Sequence, residues 1–203
     1  SVVVDPKEMF TEYPFRSSTS KSWQEHCKWL VNNLSYKWPK EGGKVIDIGA
    51  NDGSLLKELS TKGMRTFGVD PYPIWVTGQA YDVLGDYWSM DLARRCINSY
   101  GLFDVITATN VLAHVDDLHS FMEAVKIVLK PDGLFMVEVP NMFELVENVA
   151  FDTIYHEHLS YFSVGSLLKL LSDHGFRQKS IYHPKIHGGS ILIGVSDNAE
   201  IDG

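Results

Sequence analysis

The sequence is poor in the features that mark several common classes of protein. It contains only two cysteines, Cys27 and Cys96, which lie far apart and outside any C-x-x-C motif. Neither a zinc ribbon nor a disulfide framework is therefore encoded. Charged residues and glycine interrupt the apolar runs well short of a membrane span, and the N-terminus shows no basic-then-apolar signal pattern. We expect a cytoplasmic protein.

Basic residues are too few for a general nucleic-acid or anionic-membrane surface. Lys and Arg number 18 against 26 Asp and Glu, which gives a formal net charge of -8, and the densest basic segment, 37–44, includes Glu41. We expect neither a nucleic-acid nor a membrane partner. The 203 residues are 44% hydrophobic and 12% aromatic, a composition that is typical of a single globular domain.

Predicted strands alternate with predicted helices along most of the chain. A loop-rich arm at 2–22 precedes a helix at 23–34. Strands are predicted at 44–49, 65–70, 103–108 and 134–139, and helices at 54–62, 91–99 and 118–129. The less regular segment 71–95 also holds a predicted helix at 75–81 and a short strand. A helix at 164–174 and strands at 177–183 and 190–196 complete the pattern.

This alternation predicts an α/β fold with a doubly wound, mostly parallel sheet and helices on both faces. The last two strands have no helix between them, so we expect them to pair antiparallel at one edge of the sheet. An open sheet of this kind binds its ligand at the carboxyl ends of the strands. Residues that follow the strands are therefore the candidates for a site.

A loop with two glycines follows the first core strand. Asp47 lies near the end of that strand, and Gly49, Ala50, Asn51 and Gly53 lead into the next helix. The loop is not a P-loop, because the Gly-Lys-Ser/Thr end is missing. It also departs from the dinucleotide fingerprint G-x-G-x-x-G, because Asn51 occupies the place of the second glycine.

The acidic residues around this loop favour a cationic ligand. Asp47 and Asp52 would repel a phosphate but attract an amine or a sulfonium. Asp70, at the end of the next strand, can accept hydrogen bonds from both hydroxyls of a ribose. Together these residues predict a site for S-adenosylmethionine. The alternative is a structural turn followed by a helix-capping aspartate.

Two further segments carry groups suited to proton transfer. Asn110 and His114 follow the strand 103–108 on the ligand side of the sheet, and Asn110 is predicted to contact the cofactor. Segment 151–162 contains Tyr155, Glu157 and His158. Core packing would not select such groups, since burying them without partners costs several kcal/mol, whereas proton transfer uses them.

The conformation of this second segment decides which side chains share a face. If it is extended, Tyr155 and Glu157 lie opposite His156 and His158; a turn or a helix would sort them differently. His187, just before the last strand, is a further candidate for the same site at the carboxyl ends of the strands. Two alternatives remain open, a purely structural cluster and a metal site with ligands His156, His158 and either His114 or His187.

These segments resemble the S-adenosylmethionine-dependent sugar C-methyltransferases that act on nucleotide-linked 4-keto-deoxysugars. The matching segments are 12–20, 47–53, 110–115, 151–163 and 187–190, and the resemblance covers nearly the whole chain. It implies the Rossmann-like fold of class I methyltransferases. It also implies a substrate pocket above the cofactor, formed by Tyr155, Glu157, His158, His114 and Tyr13 of the arm.

The resemblance also suggests an organisation for the chain. We expect residues 1–40 to form an arm and helix that contribute to the substrate pocket, and residues 41–203 to form the cofactor-binding core. Larger members of the family carry a zinc-binding domain before this core and a nucleotide-holding domain after it. Neither is present in this sequence, so we expect flanking domains on a longer parent chain.

The expected reaction is methylation of a carbon next to a ketone, which requires removal of a proton and stabilisation of an enolate oxygen. We assign the base to His158, oriented by Glu157, with His114 and Tyr155 near the oxyanion. One alternative is an O-methyltransferase in which His158 or His114 deprotonates a hydroxyl. Another is a zinc-dependent hydrolase that uses the histidines. A binding module without catalysis is disfavoured by the complete set of His, Glu and Tyr residues.

Overall fold

The computed structural model of the chain describes residues 17–34, 38–39, 41–72, 81–150, 154–186 and 188–197. Within these ranges the chain forms one sheet with helices on both faces. The helices are α1 (Lys21–Asn33), α2 (Ser54–Ser60), α3 (Met90–Tyr100), α4 (Leu118–Val128), α5 (Met142–Glu147) and α6 (Val164–Asp173). The strands are β1 (Lys44–Ile48), β2 (Arg65–Asp70), β3 (Asp82–Gly85), β4 (Phe103–Thr109), β5 (Leu129–Pro140), β6 (Arg177–Tyr182) and β7 (Ser190–Ser196).

The strand order is β3-β2-β1-β4-β5-β7-β6. Strands β1 to β5 run parallel to one another, and β7 pairs antiparallel with both β5 and β6. The predicted α/β class and the antiparallel edge are therefore confirmed. From β1 the chain continues to β2 and β3 on one side, and it then crosses to β4 on the other side of β1. Such a reversal of strand order opens a crevice at the carboxyl ends.

Alternate residues of the central strands pack against two different sets of helices, as the pleat requires. Ile46, Ile106 and Phe135 belong to a core that they share with α3, α4 and α6. Val45 and Met136 belong to a second core under α1 and α2. The ends of the strands are thus fixed by packing on both faces, which makes the carboxyl edge a rigid platform for a site.

The predicted elements agree with the structure except at a few places. The strand predicted at 134–139 is longer, because β5 begins at Leu129. The loop predicted over 2–22 is regular at its end, where a 3₁₀ turn (Ser17–Thr19) precedes α1. Helix α5 was not predicted. The short strand expected within 71–95 is β3, whereas the helix predicted at 75–81 falls almost entirely on 73–80, outside the described residues.

No helix in the described ranges is both long and apolar enough to cross a membrane.

Candidate active site

A cavity of about 910 Å³ opens at the carboxyl ends of β1, β2 and β4. Its volume falls in the range of small-molecule sites. It is lined by Gly49 and Asn51 after β1, Asp70 at the end of β2, and Asn110 after β4. Four of the predicted cofactor residues therefore meet in one place. The remaining three, Asp47, Ala50 and Gly53, lie outside the cavity wall.

Gly49 brings the loop close to Val111, in the connection that follows β4. Its φ is 75°, a left-handed conformation that glycine adopts without strain, and a Cβ here would overlap Cγ2 of Val111. The backbone N–H groups of Gly49 and Ala50 both donate to the carbonyl oxygen of Val69, at 2.8 and 3.0 Å. The backbone N–H of Gly53 donates to the carbonyl oxygen of Ala50 at 2.8 Å, so these two residues shape the turn, and Gly49 borders the cavity.

Asp70 and Asn110 present acceptor oxygens at this edge. The Asp70 carboxylate accepts hydrogen bonds from the backbone N–H of Asn51 and of Tyr72, both at 2.8 Å, which fixes its orientation. Burial raises the pKa of Asp70, and these two bonds oppose that rise. Asn110 has a φ of 57°, and its buried Oδ1 has no hydrogen-bond partner within the described part of the chain. A buried acceptor without a donor is destabilising, so a donor from a ligand fits this position.

The other loop acids have structural contacts instead. Asp47 is buried below the loop, where its Oδ1 accepts a hydrogen bond from the Thr107 hydroxyl at 2.6 Å. Burial raises the pKa of Asp47 to about 7. The Asp52 carboxylate accepts from the backbone N–H of Ser18 (2.6 Å) and from the Ser54 hydroxyl (2.6 Å). The expectation that Asp47 and Asp52 face a cationic ligand is therefore not met in this structure.

The arm lies against the same loop. The backbone N–H of Ser17 donates to Asn51 Oδ1 at 3.0 Å, so Asn51 holds the arm where a dinucleotide fingerprint would have a second glycine. Ser20 caps α1 by accepting from the backbone N–H of Trp23. Ser17 and Trp23 both line the cavity. The end of the arm and the start of α1 thus form one wall.

Tyr155 and His158 meet at the mouth of the cavity. The segment turns rather than running extended: the backbone N–H of His158 donates to the carbonyl oxygen of Tyr155 at 3.1 Å. The Tyr155 hydroxyl lies 3.0 Å from His158 Nε2. Burial raises the pKa of Tyr155, with a further rise from Glu157. The hydroxyl therefore keeps its proton at neutral pH and can donate to the imidazole.

His114 lies beside this pair, with its ring centroid 4.9 Å from that of His158. Its Nδ1 is 2.9 Å from the backbone oxygen of Glu157. A carbonyl oxygen only accepts, so Nδ1 carries the ring proton and Nε2 carries the lone pair. Burial, and then the neighbouring His158, lower the pKa of His114 to about 4. His114 is therefore a neutral imidazole at pH 7.

Glu157 contacts His114 through its backbone, and the expected contact of its carboxylate with His158 is not seen within the described residues. Its carboxylate makes no hydrogen bond to His158 within the described residues; its backbone carbonyl holds His114, and the Tyr155 hydroxyl contacts His158. The segment is also anchored from the other side, because the backbone N–H groups of Leu159 and Ser160 both donate to the carbonyl oxygen of Ala113, at 2.7 and 3.2 Å. The histidines are thus brought together by backbone contacts, which a sequence pattern does not reveal.

The other candidates lie elsewhere. His156 is exposed and does not line the cavity. Tyr13 and His187 fall outside the described residues, so their placement stays a prediction. Among the described residues, no group of three or more His, Cys, Asp or Glu side chains is arranged to hold a metal ion.

One side of the cavity is formed by residues that the sequence patterns did not indicate. The connection from β3 to α3 and the start of α4 supply acidic and aromatic residues there, and the Trp88 indole N–H donates to the carbonyl oxygen of Phe121 at 3.3 Å. The rule that ligands meet the carboxyl ends of strands points to this connection once the end of β3 is located. The missed lining residues include Asp86, Tyr87, Trp88, Asp91, Asp116, Asp117 and Phe121.

The residues of this cavity fit S-adenosylmethionine. Its sulfonium and ammonium groups outweigh its carboxylate. The lining includes five aspartates, of which Asp86 is paired with Arg95, and no Lys or Arg from the described residues. Asp70 offers a carboxylate for ribose hydroxyls. Gly49 presents backbone without a side chain to the cavity, and Asn110 Oδ1, which has no partner within the described residues, can accept a hydrogen bond from a ligand. These residues would hold the cofactor.

Comparison with known proteins agrees with this fit. A family model described as a methyltransferase domain matches residues 21–180. The C-methyltransferase NovU of Streptomyces niveus is 34% identical over 196 residues, which cover 94% of this chain and 46% of NovU. A ubiquinone biosynthesis O-methyltransferase of Acinetobacter baylyi is 25% identical over 146 residues, 64% of this chain and 60% of that protein. The chain thus spans only part of these relatives.

Solved structures share the fold at low sequence identity. An S-adenosylmethionine-dependent methyltransferase from Archaeoglobus fulgidus superposes with a TM-score of 0.69 at 16% identity, over 85% of this chain and 93% of that one. The 1,6-didemethyltoxoflavin-N1-methyltransferase of Burkholderia thailandensis, solved with S-adenosylhomocysteine, gives a TM-score of 0.62 at 16% identity, over 88% and 79% of the two chains. The chain belongs to the methyltransferase-domain family and has the class I fold of the S-adenosylmethionine-dependent methyltransferases.

Proposed function

We propose that this chain methylates a carbon atom next to a ketone in a small-molecule acceptor, with S-adenosylmethionine as methyl donor. The observation that carries the proposal is the hydrogen bond between the Tyr155 hydroxyl and His158 Nε2, which lies within a cavity that also has a cofactor-binding loop. A carbon next to a ketone becomes nucleophilic only after it loses a proton. A phenol and an imidazole at 3.0 Å provide a hydrogen-bond donor and a base for that step.

The cofactor supplies an electrophilic methyl group on a positively charged sulfur, which leaves with the bonding electron pair. The chain has to generate the nucleophile. When the acceptor carbonyl enters, the Tyr155 hydroxyl turns its proton toward the carbonyl oxygen. His158 Nε2 is then available to take the proton from the neighbouring carbon, and the electron pair of that C–H bond moves into the enolate.

His114 acts on His158 in this proposal. Its Nε2 is an acceptor, because Nδ1 donates to the backbone oxygen of Glu157. An acceptor does not stabilise an enolate oxygen, so the expected place of His114 at the oxyanion does not suit this tautomer. The lone pair instead stabilises His158 once that imidazole has become positively charged. Tyr155 remains as the donor to the oxyanion.

For the acceptor we propose a nucleotide-linked 4-keto-deoxysugar. The resemblance of segments 12–20, 151–163 and 187–190 supports this class, and so does the C-methyltransferase among the relatives. The charge of the cavity restricts how such a molecule binds. Its lining includes Asp70, Asp86 and Asp116 but no Lys or Arg from the described residues, so the sugar enters while the diphosphate stays outside this wall.

The test compares His158→Gln with His156→Gln, a matched change at an exposed position of the same segment. Each protein is incubated with radiolabelled S-adenosylmethionine and a panel of nucleotide-linked 4-keto-deoxysugars. We expect His158→Gln to lose methyl transfer by at least about 100-fold, while its cofactor Kd in calorimetry stays within about threefold. Full turnover by His158→Gln would exclude His158 as the base.

An O-methyltransferase is the second candidate, because ubiquinone biosynthesis O-methyltransferases are among the relatives. His158 would then remove a proton from a hydroxyl in the same position. The loss of activity in His158→Gln would look the same for both reactions. NMR of the product separates them, because the new methyl group is bonded either to carbon or to oxygen.

A further inference from the structure

Two histidines meet on the protein surface outside the cavity. His119 lies in the first turn of α4, and His174 follows α6 directly. The two are 55 residues apart in sequence, yet Nδ1 of His119 lies 2.8 Å from Nε2 of His174. The ring centroids are 5.0 Å apart and the ring planes are inclined by 39°. The proposed reaction uses neither residue.

The two helices next to these histidines, α4 and α6, pack against the same core. Phe121 and Val125 of α4 belong to the same core as Leu167 and Leu171 of α6. The side chain of Lys126, on α4, donates a hydrogen bond to the carbonyl oxygen of His174 at 3.0 Å. The Asp117 side chain caps the start of α4. The two imidazoles are therefore brought together by packed elements, which lowers the entropy cost of binding an ion between them.

The charges around the pair permit a cation. Desolvation, and then His119, lower the pKa of His174, so this imidazole is neutral at pH 7 and has a lone pair to donate. The negative charges of Glu123 and Asp173 raise the pKa of His174, and the positive charge of Lys126 lowers it. Asp173 is paired with Lys169 at 2.9 Å. Glu123 lies one helical turn after His119, on the same face of α4.

We propose that His119 and His174 bind a divalent transition-metal ion, such as Zn²⁺, at the junction of α4 and α6. Imidazole nitrogens bind Zn²⁺ at about 2.0–2.1 Å, so two of them at a tetrahedral angle are separated by about 3.3 Å. The observed 2.8 Å needs an opening of only about half an ångström, which side-chain rotation supplies. Because no group of three ligands is preformed among the described residues, water or Glu123 completes the coordination.

Such an ion would tie α6 to the beginning of α4. Asp117 and Ser120, on either side of His119, line the cavity, so the ion would stabilise the wall next to the cofactor without entering the cavity. This inference is independent of the proposed methyl transfer. It predicts a structural ion that raises stability by mass action.

The test uses tag-free, metal-stripped protein and calorimetric titration with Zn²⁺. We expect one equivalent to bind, with affinity at least tenfold weaker in His119→Gln and in His174→Gln. His156→Gln serves as the exposed control and His158→Gln as the control for binding in the cavity; both are expected to bind like the unchanged protein. Zn²⁺ is also expected to raise the Tm of the unchanged protein and of both controls, but not of His119→Gln or His174→Gln.

Circular dichroism of the metal-free variants shows whether each one folds. If a variant does not fold, electron paramagnetic resonance of Cu²⁺ on the unchanged protein gives the second readout, with two imidazole nitrogens expected as ligands. Three results would overturn the proposal: no binding of Zn²⁺ below millimolar concentration, binding that survives both His119→Gln and His174→Gln, or binding that is lost in His158→Gln.

Discussion

His26 on α1 and Glu138 on β5 form a buried hydrogen bond, with 2.7 Å between Nε2 and Oε2. Glu138 is fully buried, and its Oε1 has no partner within the described residues. The backbone oxygen of Glu138 accepts from the N–H of Asn110 at 2.9 Å. Glu138 therefore connects α1, which supplies Trp23 to the cavity wall, with the Asn110 turn on the cavity floor.

Removal of one partner of this pair should destabilise the fold. We expect His26→Leu and Glu138→Leu each to lower the free energy of unfolding by about 3 kcal/mol, because each leaves a buried polar group without its partner. The double variant should recover part of the loss, since no polar group is then left alone. Urea unfolding of the four proteins measures this. Simple additivity of the two single effects would mean that the pair is not coupled.

Gly49 and Val111 provide a test of the cofactor loop. Gly49→Ala should weaken cofactor binding and lower the Tm, because the new Cβ overlaps the Val111 side chain and φ is positive. The loss of stability should be about 1–3 kcal/mol.

The double variant Gly49→Ala with Val111→Ala separates these two causes. The second change removes the overlapping methyl group but leaves the backbone strain, so we expect partial recovery of the Tm. Differential scanning calorimetry of the three proteins measures the effect. If Gly49→Ala alone has the stability and cofactor affinity of the unchanged protein, the close approach of the loop is not required.

Asp47 predicts an unusual dependence of stability on pH. Its pKa is about 7 in the fold against an ordinary 3.8, so the folded state favours the protonated acid. The stability that depends on neutral Asp47 is fully present below pH 4 and is lost as the pH rises through 7, by about 4 kcal/mol in total. Asp47→Asn stays neutral and can keep the hydrogen bond from Thr107. We expect the free energy of unfolding of Asp47→Asn to exceed that of the unchanged protein by more at pH 8 than at pH 5.

Urea unfolding at the two pH values measures this difference in free energy of unfolding. Asp104→Asn is the control, because the pKa of Asp104 is shifted in the opposite direction. Desolvation raises the pKa of Asp104, but hydrogen bonds from Lys130 and Lys44 outweigh it and the net pKa is lowered. Asp104 therefore stabilises the fold above its ordinary pKa, and its replacement should destabilise at pH 8. An Asp47→Asn variant with no greater advantage at pH 8 than at pH 5 would contradict a raised pKa.

Much of the fold could be predicted from the sequence because hydrophobic periodicity reports which faces are buried. The β-branched run at 44–48 and the alternation of helices with strands were sufficient for the parallel sheet. The antiparallel edge followed from the missing helix between the last two strands. Helix α5 escaped prediction because it has only six residues and exposes Phe143 and Val146, so its pattern does not resemble that of an amphipathic helix.

The candidate site was predicted less completely, for a physical reason. The position of Asp70, Asn110 and Gly49 at the edge of the cavity could be predicted because strand ends are local features of a sequence. The partners of each side chain depend on tertiary contacts: Asp47 turned inward to Thr107, and His114 bonded to a backbone oxygen 43 residues away. No spacing rule contains such contacts. The acidic wall after β3 was not predicted, because a strand of only four residues could be expected within 71–95 but its end could not be located from the sequence.

Tyr155→Phe tests the hydroxyl that contacts His158. The variant lacks the donor proposed for the enolate oxygen, so exchange of the proton next to the ketone should slow by about 100-fold. The exchange is followed by NMR in D₂O with a 4-keto-deoxysugar nucleotide and S-adenosylhomocysteine present. Cofactor affinity should change less than threefold, and Tyr182→Phe, on β6 and outside the cavity lining, serves as the control. Unchanged exchange in Tyr155→Phe would remove the phenol from the proposed step.

The proposed function requires that the methyl group is transferred to a carbon atom from which His158 has removed a proton. The most direct measurement is NMR of the product formed from methyl-¹³C-labelled S-adenosylmethionine and a nucleotide-linked 4-keto-deoxysugar. We expect a labelled methyl group bonded to the carbon next to the ketone, and we expect it to be absent when His158→Gln replaces the unchanged protein. A labelled methyl group bonded to oxygen, or product formed equally well by His158→Gln, would contradict it.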